Sequence, residues 1–544
     1  LGGTGTVTKN IAIGSNAMGT GVGNNDQTGT VAIGYDALYA LTTGTVNTAI
    51  GWQAGKALTT GGGNVAIGVN SMLTLTDGGR NVAIGGYAMA MNQGTTADSS
   101  VDNVFIGYSA GGGSWTAAES NQNTAVGKNS MGGQLAGAIA NAAFGYDALF
   151  GLTTGDSNTA IGWSALYTTT TGYSNTAIGE KAGYFNTSGT AGVFVGTSAG
   201  YMFGRGAHTP TATVAIGSAA GYYATGSYNV FVGHEAGKGG TTGTPYSSGT
   251  HNVAMGYLAL QNFTTAGSTI AIGYNAGNDL TTGGQNTIVG HDAGDVLTTG
   301  ISNVLVGYAA GGNLATDSSQ NVIIGESAGA GGSVALDGVV LIGRAAGYDI
   351  NSSDADGTVL IGHNAGANIT SGRYNTAIGY NALDGEDDGD GNTAVGYQAL
   401  SAQTGTSGTV GNTAVGYNAG VSITSATGNV AVGYTAVGGV TTGGANIGIG
   451  YEAGKFNQTG TGNVYIGYQA GMGAFENSHA GNVGIGYYAL RVVTTALNTI
   501  AIGQYAGDSI TSGGNHVIIG NSAGAAMTTT TNTVLIGANA GDAI

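Results

Sequence analysis

Five carboxylates crowd one short stretch of this chain, "LDGEDDGDGN" at 383–392, and four of them, Glu386, Asp387, Asp388 and Asp390, are packed into its turn. Dense oxygen ligands on a glycine-rich loop suit calcium. The spacing departs from an EF-hand, because Val395 stands where its last ligand belongs. The other reading is a solvated acidic turn. Seven histidines are scattered at 208, 234, 251, 291, 363, 479 and 516. Three of them, in "GHEAG", "GHDAG" and "GHNAG", occupy one place in a repeat. In an assembly of three chains each would form a ring of three, able to hold a metal or an anion if it faced the axis. Facing solvent it would do nothing special. The chain has no Cys, no HExxH and no phosphate loop. Glycine strings of the GxGxxG kind arise by chance among 109 Gly and lack the strand–turn–helix setting that gives them meaning. No catalytic constellation emerges, so the expectation is a protein that is not an enzyme and needs no cofactor, with calcium at the acidic turn as the one candidate.

Aromatic residues are more ordered. Tyr380, Tyr397, Tyr417, Tyr434, Tyr451, Tyr468 and Tyr487 fill the same place in seven consecutive repeats, and Tyr257, Tyr274, Tyr308, Trp52 and Trp163 fill it elsewhere. Stacked, they make either a strip for sugars, with Tyr397, Tyr417, Tyr434, Tyr451 and Tyr468 as contacts, or a ladder of rings packed on one another. Insertions at 91–102, 112–122, 204–212, 238–251 and 401–411 lengthen some repeats, and both prolines, Pro210 and Pro245, lie in them. Proline breaks ladder bonding and belongs off the stacked strands. Loops on a rigid scaffold often carry recognition, which makes Trp115, Arg205 and Tyr246 candidate receptor anchors. Neutral drift in tolerated loops is the competing account.

The elements that position these residues follow from one motif. "[V/T/I]-x-[I/V]-G" closes on a glycine at 14, 34, 51, 68, 85 and so on to 537, in 30 repeats, and 17 of the 29 spacings equal 17 residues. Such regularity marks a solenoid, whose repeats bury their apolar faces only by stacking. The residue before the glycine is large and apolar, and the one two places earlier is Val, Ile or Thr. Alternation puts these two on one face of a short strand. The residue between them is Ala in 17 repeats and Gly in 2. The pattern therefore predicts one greasy face and one small-residue face, the latter left bare by a single chain and suited to close approach of another. A second short strand is expected in "Y-x-A-[L/G]", followed by a "TTG" turn. Asn before the strand is placed to form a ladder. The fold class is all-β: a parallel β-solenoid or β-roll of about 30 coils, running as one body through 1–544. Coils about 4.8 Å apart make a rod of roughly 140 Å. Three-fold closure would bury the small-residue face.

Composition bounds partners. Eleven Lys and Arg against 28 Asp and Glu give a net charge of −17, with the cations scattered singly. That offers no phosphate-binding surface, and neither nucleic acid nor an anionic membrane is expected as a partner. No apolar run reaches the length of a membrane span. The chain opens without Met and stops part-way through a repeat, and we read it as an excerpt of a longer protein.

"NVAIG", "NTAIG" and "NTAVG", each followed by small residues, resemble the head repeats of YadA-type trimeric autotransporter adhesins. "NTAIGYNAL" is similar to repeats of bacteriophage tail fibres. The resemblance covers nearly the whole chain. It implies a left-handed β-roll, a homotrimer, and a role as an extended stalk or adhesive head outside the cell, on a virion or a cell surface, meeting a receptor or glycan. The 17-residue repeat is longer than the adhesin head repeat. The rival readings are a filament or sheath subunit, an ice-binding solenoid using arrays such as Thr42-Thr43, and a polysaccharide-degrading β-helix enzyme.

Overall fold

The computed structural model describes residues 9–19, 27–90, 99–115, 118–205, 209–240, 246–404, 408–475 and 477–541. The chain forms two compact units, Leu1–Asn275 and Ala276–Ile544. In the first, the described residues form fifteen three-residue strands, from Ile11–Ile13 to Ile270–Ile272. Each pairs in parallel with the next coil in strict register: Thr48 faces Val65, Ala49 faces Ala66 and Ile50 faces Ile67. The second unit repeats the arrangement with fifteen such strands from Thr287–Val289 to Val534–Ile536. It adds a two-residue pair, Gly389–Asp390 with Gly408–Thr409, and one 3-10 turn at Ser353–Ala355. The parallel β-solenoid is thus the architecture of both units. Among the described residues no helix is long and apolar enough to cross a membrane.

The two strand faces are used in the opposite sense to the sequence expectation. The small middle residues point inward: Ala32, Ala49, Ala160, Ala377 and Ala431 are wholly buried within their own chain. The large flanking residues point out, with Ile50 at 37%, Ile161 at 40% and Ile449 at 38% exposure. The bare face is therefore the Thr/Val/Ile face. The reason is thickness. A coil of about 17 residues encloses so little space that Ala opposite a Leu fills it. In eleven repeats the middle residue is bulky, as at Phe105, Phe194, Phe231 and Tyr465, and in all eleven the fourth residue after the marker glycine is Gly. A Cβ on Gly200 would lie 2.1 Å from the Phe194 ring, and one on Gly471 the same distance from Tyr465. Conversely, Leu38, Leu149 and Leu166 at that fourth place sit in coils whose middle residue is Ala. The two positions share one volume at near-crystalline density.

"Y-x-A-[L/G]" is a turn rather than a second strand. Its second and fourth residues are left-handed, as at Gln53 (φ 56°) and Leu38 (φ 49°), which prevents an extended run. Local and cross-coil bonds satisfy its backbone: Ala54 N–H reaches Gly51 O at 3.4 Å and Gln53 N–H reaches Tyr35 O at 2.8 Å. The marker glycine is fixed twice over. At Gly51 φ is +140°, and a Cβ would fall 2.4 Å from Gly68 O.

The asparagine ladder is present and buried. Asn158 Oδ1 accepts from Asn175 N–H at 3.0 Å and from Asn175 Nδ2 at 3.0 Å, while Asn158 Nδ2 donates to Gly172 O at 2.8 Å. Each side chain so ties its own coil to the turn of the next, and every polar atom is paired inside an apolar core. The first Thr of the "TTG" turns adds a second tie, with Thr153 Oγ1 donating to Thr170 O at 2.9 Å and Thr170 Oγ1 to Thr187 O at 3.0 Å. At Thr298-Thr299 both hydroxyls donate to Thr316 O, at 3.2 Å each. All five insertions contain residues outside the described set, His208 and Pro245 among them. Pro210 is described: it is buried and accepts Thr190 N–H at 3.0 Å.

Candidate functional site

In the second unit the column after the marker glycine is one continuous stack. His363, Tyr380, Tyr397, Tyr417, Tyr434, Tyr451, Tyr468 and Tyr487 follow one another with ring centroids 4.9–5.4 Å apart and planes within 13°. Each ring covers the faces of its neighbours. A sugar stacks on an aromatic face, so Tyr397, Tyr417, Tyr434, Tyr451 and Tyr468 have none to give. They present edges and hydroxyls, at 39–46% exposure. The strip reading gives way to the ladder reading, with offset-stacked rings stabilising one another. The stack ends at Tyr487, which lies 4.2 Å from Tyr488 and edge-on to Tyr505. A hydrogen bond to Tyr488 is the main reason its hydroxyl is pushed up to about 12. His234 and His291 likewise lie on the next ring of their column, Tyr257 and Tyr308. All three histidines are ring neighbours on the outer surface.

At the acidic turn, carboxylate oxygens of Glu386, Asp387 and Asp388 lie within 4.8 Å of one another, a group able to hold a metal ion. Asp390 is drawn elsewhere, accepting Arg373 N–H at 2.8 Å. Glu386 is fully buried and caps the turn, accepting from Gly389 N–H at 2.8 Å and Asp387 N–H at 3.1 Å. Asn186 does the same for Gly189 N–H at 2.7 Å, and Asn457 for Gly460 N–H at 3.2 Å. Burial raises the Glu386 carboxyl above its ordinary range, and burial together with Asp387 raises Asp388.

Of the three loop anchors, Trp115 is a core residue. It is 1% exposed, its Nε1 donates to Gly111 O at 3.0 Å, and its ring meets Phe105 edge-on at 5.7 Å. Arg205 and Tyr246, 41 residues apart in sequence, do come together. The Arg205 guanidinium lies over the Phe185 ring at 4.9 Å and over the Tyr246 ring at 5.3 Å, with Nη1 donating to the Tyr246 hydroxyl. Tyr223 stacks on Tyr246 at 6.0 Å, and Tyr222 meets Tyr223 edge-on at 4.6 Å. Behind them runs a second ladder, Phe150, Tyr167, Tyr184, Tyr201 and Tyr222, with centroids 4.6–5.3 Å apart. Phe185 packs edge-on against Tyr184 and Tyr201. Sequence reading missed this ladder, although the signal was available. Its members stand five residues after the marker glycine in five consecutive repeats. The result is one half-exposed surface of aromatic rings around a guanidinium, the composition favoured at binding hot spots.

A scan against protein-family models gives no match, and no curated protein matches the chain.

Proposed function

We propose that this chain is a structural fibre or adhesin, which works by display and contact rather than catalysis. It extends from a virion or cell surface as a homotrimer and offers its surface to a receptor or glycan. The observation that carries the reading is the outward strand face, in each unit a pair of in-register columns of Thr, Val and Ile apart from Ala142, Phe144 and Met255. Monomeric soluble proteins rarely leave so large an apolar patch open. Fifteen strands at about 4.8 Å, with a face roughly 10 Å wide, amount to on the order of 700 Å² per unit, near the roughly 800 Å² per partner of a stable interface. Association of identical chains along this face would cover it and leave the turn side free for display. The Arg205 surface supplies the contact.

The test is mass in solution by light scattering. The expected value is three times 52.9 kDa. Ile161→Lys with Ile178→Lys, which places charge on the outward face, is expected to lower it to a single chain. A wild-type mass of one chain would overturn self-association, and open-ended polymers would favour the filament reading over the trimer.

A further inference from the structure

We infer that the Arg205 surface is a site for an acidic sugar: a carboxylate on the guanidinium and a pyranose ring against the surrounding aromatic side chains. This rests on the display reading above and names the class of ligand.

Three observations lead there. The first concerns charge pairing. Four of the five arginines are held by a carboxylate: Arg80 by Asp102 at 2.6 Å, Arg344 by Glu326 at 3.6 Å, Arg373 by Asp354 at 3.3 Å and Arg491 by Asp508 at 3.0 Å. Arg205 alone has no carboxylate among the described residues. It is exposed, resting on Phe185 and Tyr246, with contacts from Nη1 to the Tyr246 hydroxyl and to Met202 Sδ at 3.5 Å. These contacts fix the plane of the guanidinium and leave most of its donor fork open. A guanidinium so held loses little freedom when a carboxylate docks, and fork-to-carboxylate bonds are the strong kind.

The second observation is local charge. The chain carries −17 overall, yet from 181 to 278 the only acid is Glu235, against Lys181, Arg205 and Lys238. Glu180, one residue before that stretch, takes Lys181 at 3.6 Å. Glu235 is itself taken by Lys238 at 2.9 Å. Arg205 is thus the cation of this stretch that no carboxylate among the described residues holds, unlike the other four arginines.

The third observation is ring geometry. In the Tyr380–Tyr487 stack every interior ring is sandwiched. Around Arg205 parallel and crossed pairs meet: Tyr223 lies parallel to Tyr246 at 6.0 Å, while Phe185 stands at 87° to Tyr201 and Tyr223 at 65° to Tyr222. Crossed rings make a corner, not a column, and a corner can receive a sugar ring beside the cation. Neutral aromatic contact plus one oriented charge is how a pocket tells an acidic sugar from its neutral counterpart.

The experiment is calorimetric titration of the whole chain with trigalacturonate and with its methyl ester, which has the same rings and no charge. The expected result is binding of the acid, roughly ten- to a hundredfold tighter than the ester, as befits one charge-assisted contact. Arg205→Met keeps an apolar stem over Phe185 and is expected to bring acid and ester to the same affinity. Tyr246→Phe keeps the ring and is expected to weaken the acid severalfold. Thermal melts of both variants check that folding is unchanged. Equal wild-type affinity for acid and ester, lost in Tyr223→Ala, would overturn the acidic specificity and leave the display reading standing. Retention of the acid preference in Arg205→Met would overturn the role of Arg205. Binding of neither ligand, in a chain that still self-associates, would overturn this inference alone.

Discussion

Exchanging the two residues that share a coil's interior tests the central packing argument. Phe194 is wholly buried, tilted at 59° against Phe203 with centroids 4.9 Å apart, and its ring occupies the space that a side chain on Gly200 would need. Phe194→Ala alone empties that space and should cost about 3–5 kcal/mol. Gly200→Leu alone drives a side chain into the ring, at a cost of about 1–3 kcal/mol or more, since a Cβ there would lie 2.1 Å from the ring. Together they recreate the pairing of Ala160 with Leu166 found two coils earlier. The left-handed φ of 59° at Gly200 is no obstacle, because Leu166 holds φ 50°. The double variant should therefore recover most of the loss, with a remainder because Leu leaves space beside Gly183 and Gly192 partly empty. A 544-residue solenoid does not unfold in one step, so the readout is local. Hydrogen exchange followed by mass spectrometry on a peptide spanning 193–204 gives the opening free energy of that coil. Phe194→Ala should speed exchange by roughly a hundredfold or more, and the double variant should return it to within about tenfold of wild type. Costs that simply add would refute the shared-volume argument.

Other perturbations are as direct. Asn158→Ala removes the acceptor of Asn175 N–H and the donor to Gly172 O, and should destabilise its coil by about 2–4 kcal/mol, read as faster exchange over 156–176. Asn158→Thr should cost less, because Thr213 and Thr269 already stand in that column. Glu386 has its folded carboxyl raised by burial, so its contribution is favourable below the ordinary carboxylate range and is lost as pH rises through the raised value. Glu386→Gln should slow exchange around 384–392 at pH 7 and flatten its pH dependence. His479 behaves in the opposite sense. Burial lowers it from 6.5 to about 4, so stability is full above 6.5 and falls as pH drops toward 4. Exchange around 473–482 should quicken on acidification, and His479→Gln should remove the effect. One pH titration thus has opposite expected signs at two places in the same unit.

The solenoid and its register were legible because both depend on periodicity, which 30 copies make plain. The Asn ladder was legible for the same reason, since a polar residue at a fixed place before every strand but those after Gly192 and Val339 has one economical use. The facing of the strands was not, and the cause is instructive. Alternation says which residues share a face but not which face is inside. Size suggested that Ile and Val go in and Ala stays out. The deciding signal was the joint variation of two positions, with Gly following every bulky middle residue such as Phe105, Phe194 and Tyr465, and Leu or Met found only where the middle residue is Ala or Gly, which only makes sense if both line one cavity. At the sites, the Arg205–Tyr246 encounter could not be read, because two insertions 41 residues apart meet only through the stacking of the coils between them. Trp115 failed for a local reason: the inserted segment turns its ring inward, edge-on to Phe105, with Nε1 tied to Gly111 O. The tyrosine column was correctly seen as a column, but whether rings in a column expose faces or edges depends on their spacing, and a rise near 5 Å leaves only edges.

That same stack gives the molecule a built-in optical label. The three tryptophans, at 52, 115 and 163, all lie in the first unit, whereas the unbroken tyrosine run from 380 to 487 lies in a unit with none. Parallel phenol rings about 5 Å apart couple their transition dipoles, so the run should give a near-ultraviolet circular dichroism band far stronger than isolated tyrosines would. Tryptophan emission then follows one half of the chain and the coupled tyrosine signal the other, with no dye attached to either.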